Sequence, residues 1–549
     1  MAKEIEMTTR GIGRPISYLM MVSLLLSANH SSVKAQGSQD VGKRNILVIL
    51  CDQLRPDFLT SYGGKIVECS GTDQLAAMGV TFDNAITCSP VSGPARASIL
   101  TGRYPSSNGV WCNDHLPDES MEYLPKRMND NGYITAAFGK LHNTPAADSR
   151  GFSIYIPMEE SRLGELEPYI HYMRGKYPNE VITKYNGFSK GLEFTKPMSD
   201  HYDSWTTDNA INFLYDYSNH RHGDAPFFVW LSLQGPHGPY DPPRELKGSI
   251  KKDEIPKPVD VPSSGLPSVI KERRAPELSP KTTAANRIAY AEKVKLEEDQ
   301  IAKVIAALKE KGLMENTTII FTADHGDQLG DHNLWQKGPF PYPYHQNIPM
   351  IVSNHPGLKS GTRSDILASN IDIATTCLQI AGDSIPLGVS RSLVAMIEVP
   401  SLQREVNFAE FADSYKMVED KRYRMAYFPF EGSIMLFDKK NDPLYLHDLS
   451  ANKKYSDKKL EMMKHLMDFQ ILCKGFHVEA QDCTFPVQKG IDKLNPNWKD
   501  DNFEICFPLS YAKWKYLKDN GMEYKFNDFC IPRKITAAYD TFWSNPAYK

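Results

Sequence analysis

The sequence predicts an α/β fold with a large, doubly wound and mostly parallel sheet flanked by helices. Three uninterrupted apolar runs, at residues 45–50, 226–233 and 317–322, are typical of strands buried on both faces. A helical repeat of apolar residues over 290–308, stopped by Gly312, leads into the third run. This alternation of helix and strand predicts the parallel sheet.

Each of the three predicted strands ends in polar residues that can bind a ligand or transfer a proton. Asp52 and Gln53 follow the first strand, His237 follows the second, and Asp324 and His325 follow the third. In open α/β sheets, ligands bind beyond the carboxyl ends of the strands. The sequence therefore predicts one polar site at that edge.

A second, smaller subdomain is predicted after residue 395, where the pattern changes. Apolar strands at 423–427 and 433–437 and a helix at 458–472 predict an antiparallel sheet with a packed helix. The Pro- and Lys-rich segment 241–285 is predicted to be an extended surface excursion bordering the substrate cleft. The predicted organisation is a signal peptide at 1–35, an α/β catalytic domain at 36–395, and a C-terminal subdomain with an extended tail at 396–549.

The first residues have the anatomy of a secretory signal. Arg10 and Arg14 precede an apolar run over 16–28, and small residues at 33–35 suit a cleavage site. The run is too short for a good transmembrane helix. We expect an exported protein, soluble after signal cleavage, in the periplasm, at the cell surface or secreted; a buried N-terminal helix is the alternative.

Charge and cysteine content restrict the partners and the redox chemistry. The net charge of -4, from 63 basic and 67 acidic residues, provides no basic field for nucleic acid or an anionic membrane. Nine cysteines are too few for a disulfide scaffold. We expect buried thiols at Cys51, Cys88 and Cys377, and a disulfide-stapled tail from the four late cysteines, namely Cys473, Cys483, Cys506 and Cys530.

The most informative segment runs from Ser92 to Gly102. Ser92 stands where a helix should begin, Pro94 suits the first turn, and Arg96 lies one turn further on the same face. A helix N-terminus beside a guanidinium is a ready site for a tetrahedral oxyanion. Taken alone, the segment would be better explained by a capping serine and a surface arginine.

Together with residues 52–53, 139–142, 236–239, 324–327 and 337–338, this segment resembles the formylglycine-dependent sulfatases of the alkaline-phosphatase superfamily. The family signature is Cys or Ser, any residue, Pro, any residue, Arg, three residues, then Leu-Thr-Gly. Every fixed position is met between Ser92 and Gly102, and the motifs follow in the family's order to about residue 450.

The resemblance implies that a maturase oxidises Ser92 to formylglycine, whose hydrate is the nucleophile. One hydroxyl attacks sulfur and the other allows the sulfated intermediate to collapse by elimination. Serine-type members are known chiefly from bacteria, which implies a bacterial setting. The resemblance also implies one divalent metal, calcium first and magnesium or manganese as alternatives, held by the Ser92-derived group and by Asp52, Gln53, Asp324 and His325. Many members have Asp and Asn at the positions of Gln53 and His325.

The remaining motif residues correspond to the family's catalytic groups. His237 and Lys337 would bind the ester oxygen and protonate the leaving group. Lys140 and His142 would steady the diol and take its proton, while Arg96 and Lys140 would orient the nucleophile and sulfate. Substrate contacts are predicted in an aromatic, polar stretch that could equally be an ordinary loop, at Trp111, Asn113 and Asp114.

The function that this resemblance implies is hydrolysis of a sulfate ester, with a sulfated saccharide such as a glycosaminoglycan, mucin or algal glycan as substrate. Exo action is the expectation, since a buried sulfate pocket admits a chain end most easily. Two alternatives stay open. One is a phosphonate monoester or phosphodiester hydrolase of the same superfamily, and the other is a non-catalytic sulfated-glycan-binding protein in which Ser92 stays unmodified.

Overall fold

A computed structural model describes residues 43–475, apart from 119, 221–224, 263 and 275–278. The predicted signal peptide and three of the late cysteines, Cys483, Cys506 and Cys530, lie outside the described residues. Within the described part, no helix is long and apolar enough to cross a membrane.

The main sheet has eight strands in the order β4-β3-β5-β1-β6-β7-β2-β8. Its strands are β1 (Asn45–Asp52), β2 (Gly79–Ile86), β3 (Ile134–Gly139), β4 (Ile154–Pro157), β5 (Phe227–Pro236), β6 (Thr317–Ala323), β7 (Met350–Ser353) and β8 (Thr362–Ser369). Only β7 runs antiparallel to its neighbours. Every residue of the central strand β1 is buried, as the apolar run in the middle of its sequence predicts. The predicted doubly wound, mostly parallel sheet is confirmed.

Helices flank this sheet. They are α1 (Ser70–Ala77), α2 (Ser92–Thr101), α3 (Pro105–Asn108), α4 (Leu124–Asp130), α5 (Pro168–Lys176), α6 (Tyr202–His220), α7 (Ser268–Lys271), α8 (Pro280–Glu310), α9 (Pro343–Gln346), α10 (Asp372–Ile380) and α11 (Leu393–Glu398). The predicted helix before β6 is α8, which begins where the Ser279 side chain accepts the Thr282 N–H at 3.1 Å. The predicted helix at Ser92 is α2.

The helix α2 ends in a left-handed residue that only glycine accommodates without strain. Gly102 has φ of 63°, and a Cβ built on it would lie 2.1 Å from the Leu387 carbonyl oxygen. This close approach fixes the end of the helix whose first residue is Ser92.

The smaller subdomain is the predicted antiparallel sheet with a helix. Strands β9 (Asn407–Phe411), β10 (Tyr415–Glu419), β11 (Tyr423–Phe428) and β12 (Ser433–Asp438) pair in the order β12-β11-β10-β9, and α12 (Ser456–Gly475) follows. Met462 and Leu466 of α12 pack against Val418, Met425 and Leu436 of the sheet. Burial of these side chains holds the helix on the sheet.

Two sequence predictions need correction. The segment 241–285 is not an extended excursion throughout, because it contains helical turns at Arg244–Leu246 and Lys252–Glu254 as well as α7. Buried Val269 and Ile270 anchor it to the core shared with the small sheet. Cys473 is a free, buried thiol that packs with Tyr104 and Phe469 rather than part of a stapled tail. Cys51, Cys88 and Cys377 are free and buried, as predicted.

Candidate active site

The three central strands bring their terminal polar residues together. Strand β1 pairs in parallel with both β5 and β6, so the carboxyl ends of all three lie at one edge of the sheet. The backbone N–H of His237 donates to the Asp52 carbonyl at 3.1 Å, and that of Asp324 donates to the Cys51 carbonyl at 3.4 Å. The predicted convergence of these groups is therefore observed.

The Ser92 hydroxyl lies at the centre of the cluster. Its Oγ is 2.9 Å from His325 Nε2 and 3.3 Å from Asp52 Oδ1, and it accepts a hydrogen bond from Lys337 Nζ at 2.9 Å. Ser92 is fully buried as the first residue of α2, and Asn113 Oδ1 accepts the next backbone N–H, that of Gly93, at 2.9 Å. The hydroxyl is thus held among a cation, an imidazole and a carboxylate.

Arg96 ties the acidic residues of two strands together. Its Nε donates to Asp324 Oδ2 at 2.9 Å, its Nη2 to Asp52 Oδ2 at 3.2 Å, and its Nη1 to Ser232 Oγ at 2.6 Å. The buried guanidinium therefore neutralises both carboxylates and fixes their positions. Its contact with a bound sulfate stays a prediction.

Lys140 joins the same charge network through two carboxylates. Its Nζ is 2.7 Å from Asp52 Oδ2 and 2.8 Å from Glu160 Oε2. Burial by itself would raise the pKa of Asp52, but the positive charge of Lys140, with those of Arg96 and Lys337 adding to it, outweighs burial and holds that pKa well below its ordinary value. Asp52 is thus kept ionised.

His237 and His142 lie beside this network. The Nδ1 of His237 is 2.6 Å from the Gly238 carbonyl and 3.6 Å from Glu160 Oε1, and burial followed by the charge of Lys337 lowers the His237 pKa to about 3. Burial, with Arg162 and Lys140 adding to it, holds the pKa of His142 well below its ordinary value. Both imidazoles are neutral at neutral pH before substrate binds.

The acidic end of the cluster fits a divalent cation. Within the described residues, Asp52, Asp324 and His325 place one ligand atom each within 4.8 Å of one another. Gln53 supplies a further oxygen: its Nε2 donates to Asp327, while its buried Oε1 has no hydrogen-bond partner in the described chain. A buried amide oxygen without a partner beside two carboxylates is what a hard cation requires. The donor set therefore fits the metal that the sequence predicts.

The three residues predicted to line a sugar subsite have different environments. Asn113 is committed to the helix α2 through its bond to Gly93. Trp111 is half-buried, with Lys416 Nζ 5.1 Å from its ring centroid, and Asp114 is exposed with φ of 65°. Contact of all three side chains with substrate stays a prediction, and the Oδ1 atom of Asn113 also serves the helix terminus.

Sequence reasoning missed two acidic residues of the site, Glu159 and Glu160. Glu159 Oε1 accepts the His142 N–H at 3.1 Å, and Glu160 lies between Lys140 and His237. Both follow the short strand β4, whose carboxyl end adjoins that of β3. The signal was an acidic pair after a strand, but a strand of four residues, one exposed and three half-buried, has too little periodicity to reveal it.

Comparison with known proteins agrees with this geometry. The sequence model of the sulfatase family matches residues 44–383, which contain every site residue described above. The chain belongs to the sulfatase family. A second model, that of the N-sulphoglucosamine sulphohydrolase C-terminal region, matches residues 330–471. The protein is thus a sulfuric ester hydrolase, as the signature at Ser92 predicts.

Curated sulfatases resemble this chain over most of their length. An arylsulfatase of Clostridium perfringens is 27% identical over 447 residues, which cover 76% of this chain and 92% of the relative. An N-acetylglucosamine-6-O-sulfatase of Bacteroides thetaiotaomicron is 23% identical over 512 residues, covering 79% and 87%. The similarity therefore spans both subdomains of this sulfatase.

Solved structures share the fold at lower identity. A phosphonate monoester hydrolase of Agrobacterium radiobacter superposes with a TM-score of 0.69 at 21% identity, covering 78% of this chain and 96% of its own. A protein solved with its substrate D-glucosamine-2-N,6-O-disulfate gives a TM-score of 0.67 at 20% identity, covering 80% and 100%. At such identities the comparison shows a common architecture.

Proposed function

We propose that this sulfatase is exported and removes sulfate from a saccharide, using a formylglycine made from Ser92 and one bound divalent metal. The observation that carries the proposal is the setting of the Ser92 hydroxyl. It is buried at the start of α2, within 3.3 Å of groups from Lys337, His325 and Asp52. A serine that only capped the helix would need no lysine, imidazole and carboxylate around its hydroxyl oxygen.

The chain's own residues would divide the chemistry between two sides of the sulfate. Lys337 would hold the bridging ester oxygen. His237 would take up a second proton, on Nε2, when the negative sulfate ester binds beside it, and would give that proton to the ester oxygen as the bond to sulfur breaks. A sugar alkoxide is a poor leaving group, so this proton transfer matters most for saccharide substrates. On the other side, Lys140 and His142 would orient the nucleophile and receive its proton when the sulfated intermediate collapses.

Asp52, Gln53, Asp324 and His325 would hold the metal. When bound, it supplies positive charge that favours ionisation of the nucleophile and neutralises the transferring sulfate. Three of the four side chains offer oxygen, which favours calcium, while the imidazole leaves magnesium and manganese as alternatives.

A saccharide substrate is supported by the relatives. The relative from Bacteroides thetaiotaomicron is named for action on N-acetylglucosamine 6-sulfate groups, and the predicted signal peptide fits scavenging outside the cytoplasm. Deep burial of Ser92 favours exo action, because a chain end reaches such a site more easily than a chain interior.

The test uses protein produced together with an oxygen-independent maturase. The peptide that contains Ser92 is analysed by mass spectrometry, and the protein is assayed on sulfated saccharides and on aryl phosphonate monoesters. Loss of two hydrogens at Ser92 together with sulfate release supports the proposal. Modification with activity only on phosphorus esters would favour the phosphonate hydrolase, and an unmodified Ser92 with unproductive binding would favour a glycan-binding protein.

A further inference from the structure

A buried lysine with no part in the proposed chemistry lies behind the loop that carries His237. Lys293, in the middle of α8, is completely buried. Its Nζ is surrounded by five oxygen atoms, those of Tyr202 Oη at 2.7 Å, His237 O at 2.9 Å, Pro239 O at 3.2 Å, Gln234 Oε1 at 3.2 Å and Asp241 Oδ1 at 3.3 Å. Three of these oxygens belong to one short segment, residues 234–239, which contains the end of β5 and the loop that carries His237.

The same loop is held at its other end by a buried carboxylate. Asp203 accepts the backbone N–H of Gln234 at 2.6 Å and that of Gly235 at 3.2 Å. Asp203 therefore binds two amides near the end of β5, and Lys293 binds the carbonyls of His237 and Pro239 in the loop that follows. His237 lies between these two attachments.

Lys293 also determines which way the Gln234 amide faces. An ammonium group only donates hydrogen bonds, so the Gln234 oxygen must face Lys293. The Gln234 Nε2 then points to the other side, 3.2 Å from His237 Nδ1 and 3.2 Å from Glu160 Oε1. The ring of His237 is thus bordered by a group whose orientation depends on Lys293.

This arrangement fixes the direction of the imidazole. His237 Nδ1 is 2.6 Å from the Gly238 carbonyl, which only accepts, so Nδ1 carries a hydrogen. The other ring nitrogen, Nε2, is left for the ester oxygen of the substrate. Any shift of the loop carbonyls would turn Nε2 away from that oxygen, and a misplacement of about 1 Å can cost about 100-fold in rate.

We infer that Lys293 is a positioning residue that holds His237 Nε2 on the leaving-group oxygen. The inference rests on the proposed role of His237 as the leaving-group acid. Stability alone gives no reason for a lysine at this position, because burying an ammonium and a carboxylate costs as much free energy as their pairing returns, whereas an apolar residue would pack without that cost. The five oxygen atoms around one Nζ indicate that Lys293 orders the loop.

The experiment compares substrates that need the acid to different degrees. Lys293→Met is assayed with 4-nitrophenyl sulfate, whose leaving group needs little protonation, and with a sulfated monosaccharide that the wild-type protein hydrolyses. Because Lys293→Met leaves Asp241 unpaired, the charge-neutral Lys293→Met/Asp241→Asn protein is assayed as well. Lys303→Met is the matched control, since Lys303 lies on the same helix but pairs with Asp208 at the surface.

For both Lys293 variants, kcat for the saccharide should fall at least about 10-fold. The kcat for 4-nitrophenyl sulfate should fall less than about threefold, and KM for both substrates should change little. Melting temperatures, with the double variant close to wild type, separate this effect from unfolding. Lys303→Met should match wild type on both substrates.

Equal losses of kcat on both substrates in the folded double variant, or no loss on either, would overturn the role of Lys293 while leaving the proposed function intact. A matured wild-type protein without activity on any sulfate ester would overturn the proposed function, and the role of Lys293 with it. The ratio of the two kcat values therefore distinguishes the two failures.

Discussion

Glu160 links Lys140 and His237, the two groups that flank the predicted reaction centre. Its Oε2 is 2.8 Å from Lys140 Nζ and its Oε1 is 3.6 Å from His237 Nδ1. The negative charge of Glu160 raises the pKa of His237 against the larger effects of burial and Lys337. The carboxylate should therefore favour the protonated imidazole that a leaving-group acid needs.

Replacing Glu160 with Gln should lower kcat for a sulfated saccharide roughly 10-fold at neutral pH, because the pKa of His237 falls further and less of the acid is protonated. The pH dependence of kcat checks this, and its falling limb at higher pH should move to lower pH. Glu165→Gln, which removes an exposed carboxylate of the neighbouring turn, is the control. An unchanged pH profile would contradict the role of Glu160.

Gln53 is the predicted metal ligand that differs from the carboxylate found in many family members. Its backbone has φ of 66°, which asparagine tolerates, so Gln53→Asn shortens the side chain without adding backbone strain. Because the Oε1 oxygen is withdrawn from the other ligands, the affinity for calcium should fall at least about 10-fold.

Calorimetric titration of calcium into chelator-treated protein measures this affinity, with Gln74→Leu on the helix α1 as control. Chelation itself should abolish sulfatase activity and lower the melting temperature, since Asp52 and Asp324 lose a counter-charge. Equal calcium affinities of wild type and Gln53→Asn would exclude Gln53 from the metal site.

At the scale of elements, Glu298 of α8 caps the helix α1. Its Oε2 accepts the N–H groups of Gly71 at 2.9 Å and Thr72 at 2.8 Å, and Cys69, the residue before the helix, offers no side-chain cap. Burial raises the pKa of Glu298 to about 7, although these hydrogen bonds act in the opposite direction. The cap is therefore sensitive to pH.

The sign of this effect follows from proton binding. Between the unfolded pKa of about 4.3 and the folded pKa of about 7, the folded protein binds the extra proton, so the contribution of Glu298 to stability falls as the pH rises. Glutamine at position 298 does not titrate, so Glu298→Gln provides the reference. As the pH rises from 4.5 to 8, the unfolding free energy of wild type should fall on the order of 3 kcal/mol relative to that of Glu298→Gln.

Urea denaturation of both proteins across this range measures the difference, with the exposed Glu315→Gln as control. A difference in unfolding free energy that does not vary with pH would show that Glu298 does not titrate in this range.

An ion pair connects the small sheet to the segment that follows Lys337. Arg424 of β11 donates to Glu419 of β10 at 2.7 Å, to Asn347 Oδ1 at 2.6 Å and to the Pro341 carbonyl at 3.1 Å. Both partners of the ion pair are buried, and the charges of Arg424 and Lys439 outweigh burial and lower the pKa of Glu419.

Arg424→Met should lower the unfolding free energy by about 3–5 kcal/mol, because it removes the main partner of a buried carboxylate. Arg424→Met/Glu419→Gln should recover a large part of that loss. Lys421→Met, which removes an exposed pair with Asp365, should cost less than about 1 kcal/mol. Urea denaturation measures all three, and equal losses for the buried and the exposed pair would contradict the argument.

How much the sequence predicts differs from element to element. Strands β1, β5 and β6 could be predicted because central parallel strands are apolar throughout. Strand β8 begins with four polar residues, Thr-Arg-Ser-Asp, and therefore has no such signal. Motif residues such as Ser92 and Lys337 could be placed by their resemblance to a family. Lys293 could not, because its role depends on a loop more than 50 residues away in sequence that packs against α8 only in the folded chain.

Across the whole molecule, the two predicted subdomains are joined by buried contacts. Glu410 of β9 accepts the Ser106 N–H, and its own N–H donates to the Cys88 carbonyl at 2.9 Å. Asn407 Nδ2 donates to the Ala368 carbonyl of β8 at 3.0 Å. One apolar cluster contains residues of both sheets, from Ile86 of β2 to Phe437 of β12. The small sheet therefore completes the core around the catalytic strands.

From this we predict that residues 43–475 unfold as one cooperative unit, although the sequence predicts a boundary near residue 395. Opening the small sheet would expose the apolar cluster and break the hydrogen bonds that join Glu410 and Asn407 to the larger part of the molecule. Neither part should therefore be stable alone. Calorimetry should give one transition with equal van't Hoff and calorimetric enthalpies, and sulfatase activity should be lost at the same urea concentration as helical circular dichroism. A fragment 43–395 that melts cooperatively, or a second transition in the intact protein, would show instead that the two parts fold independently.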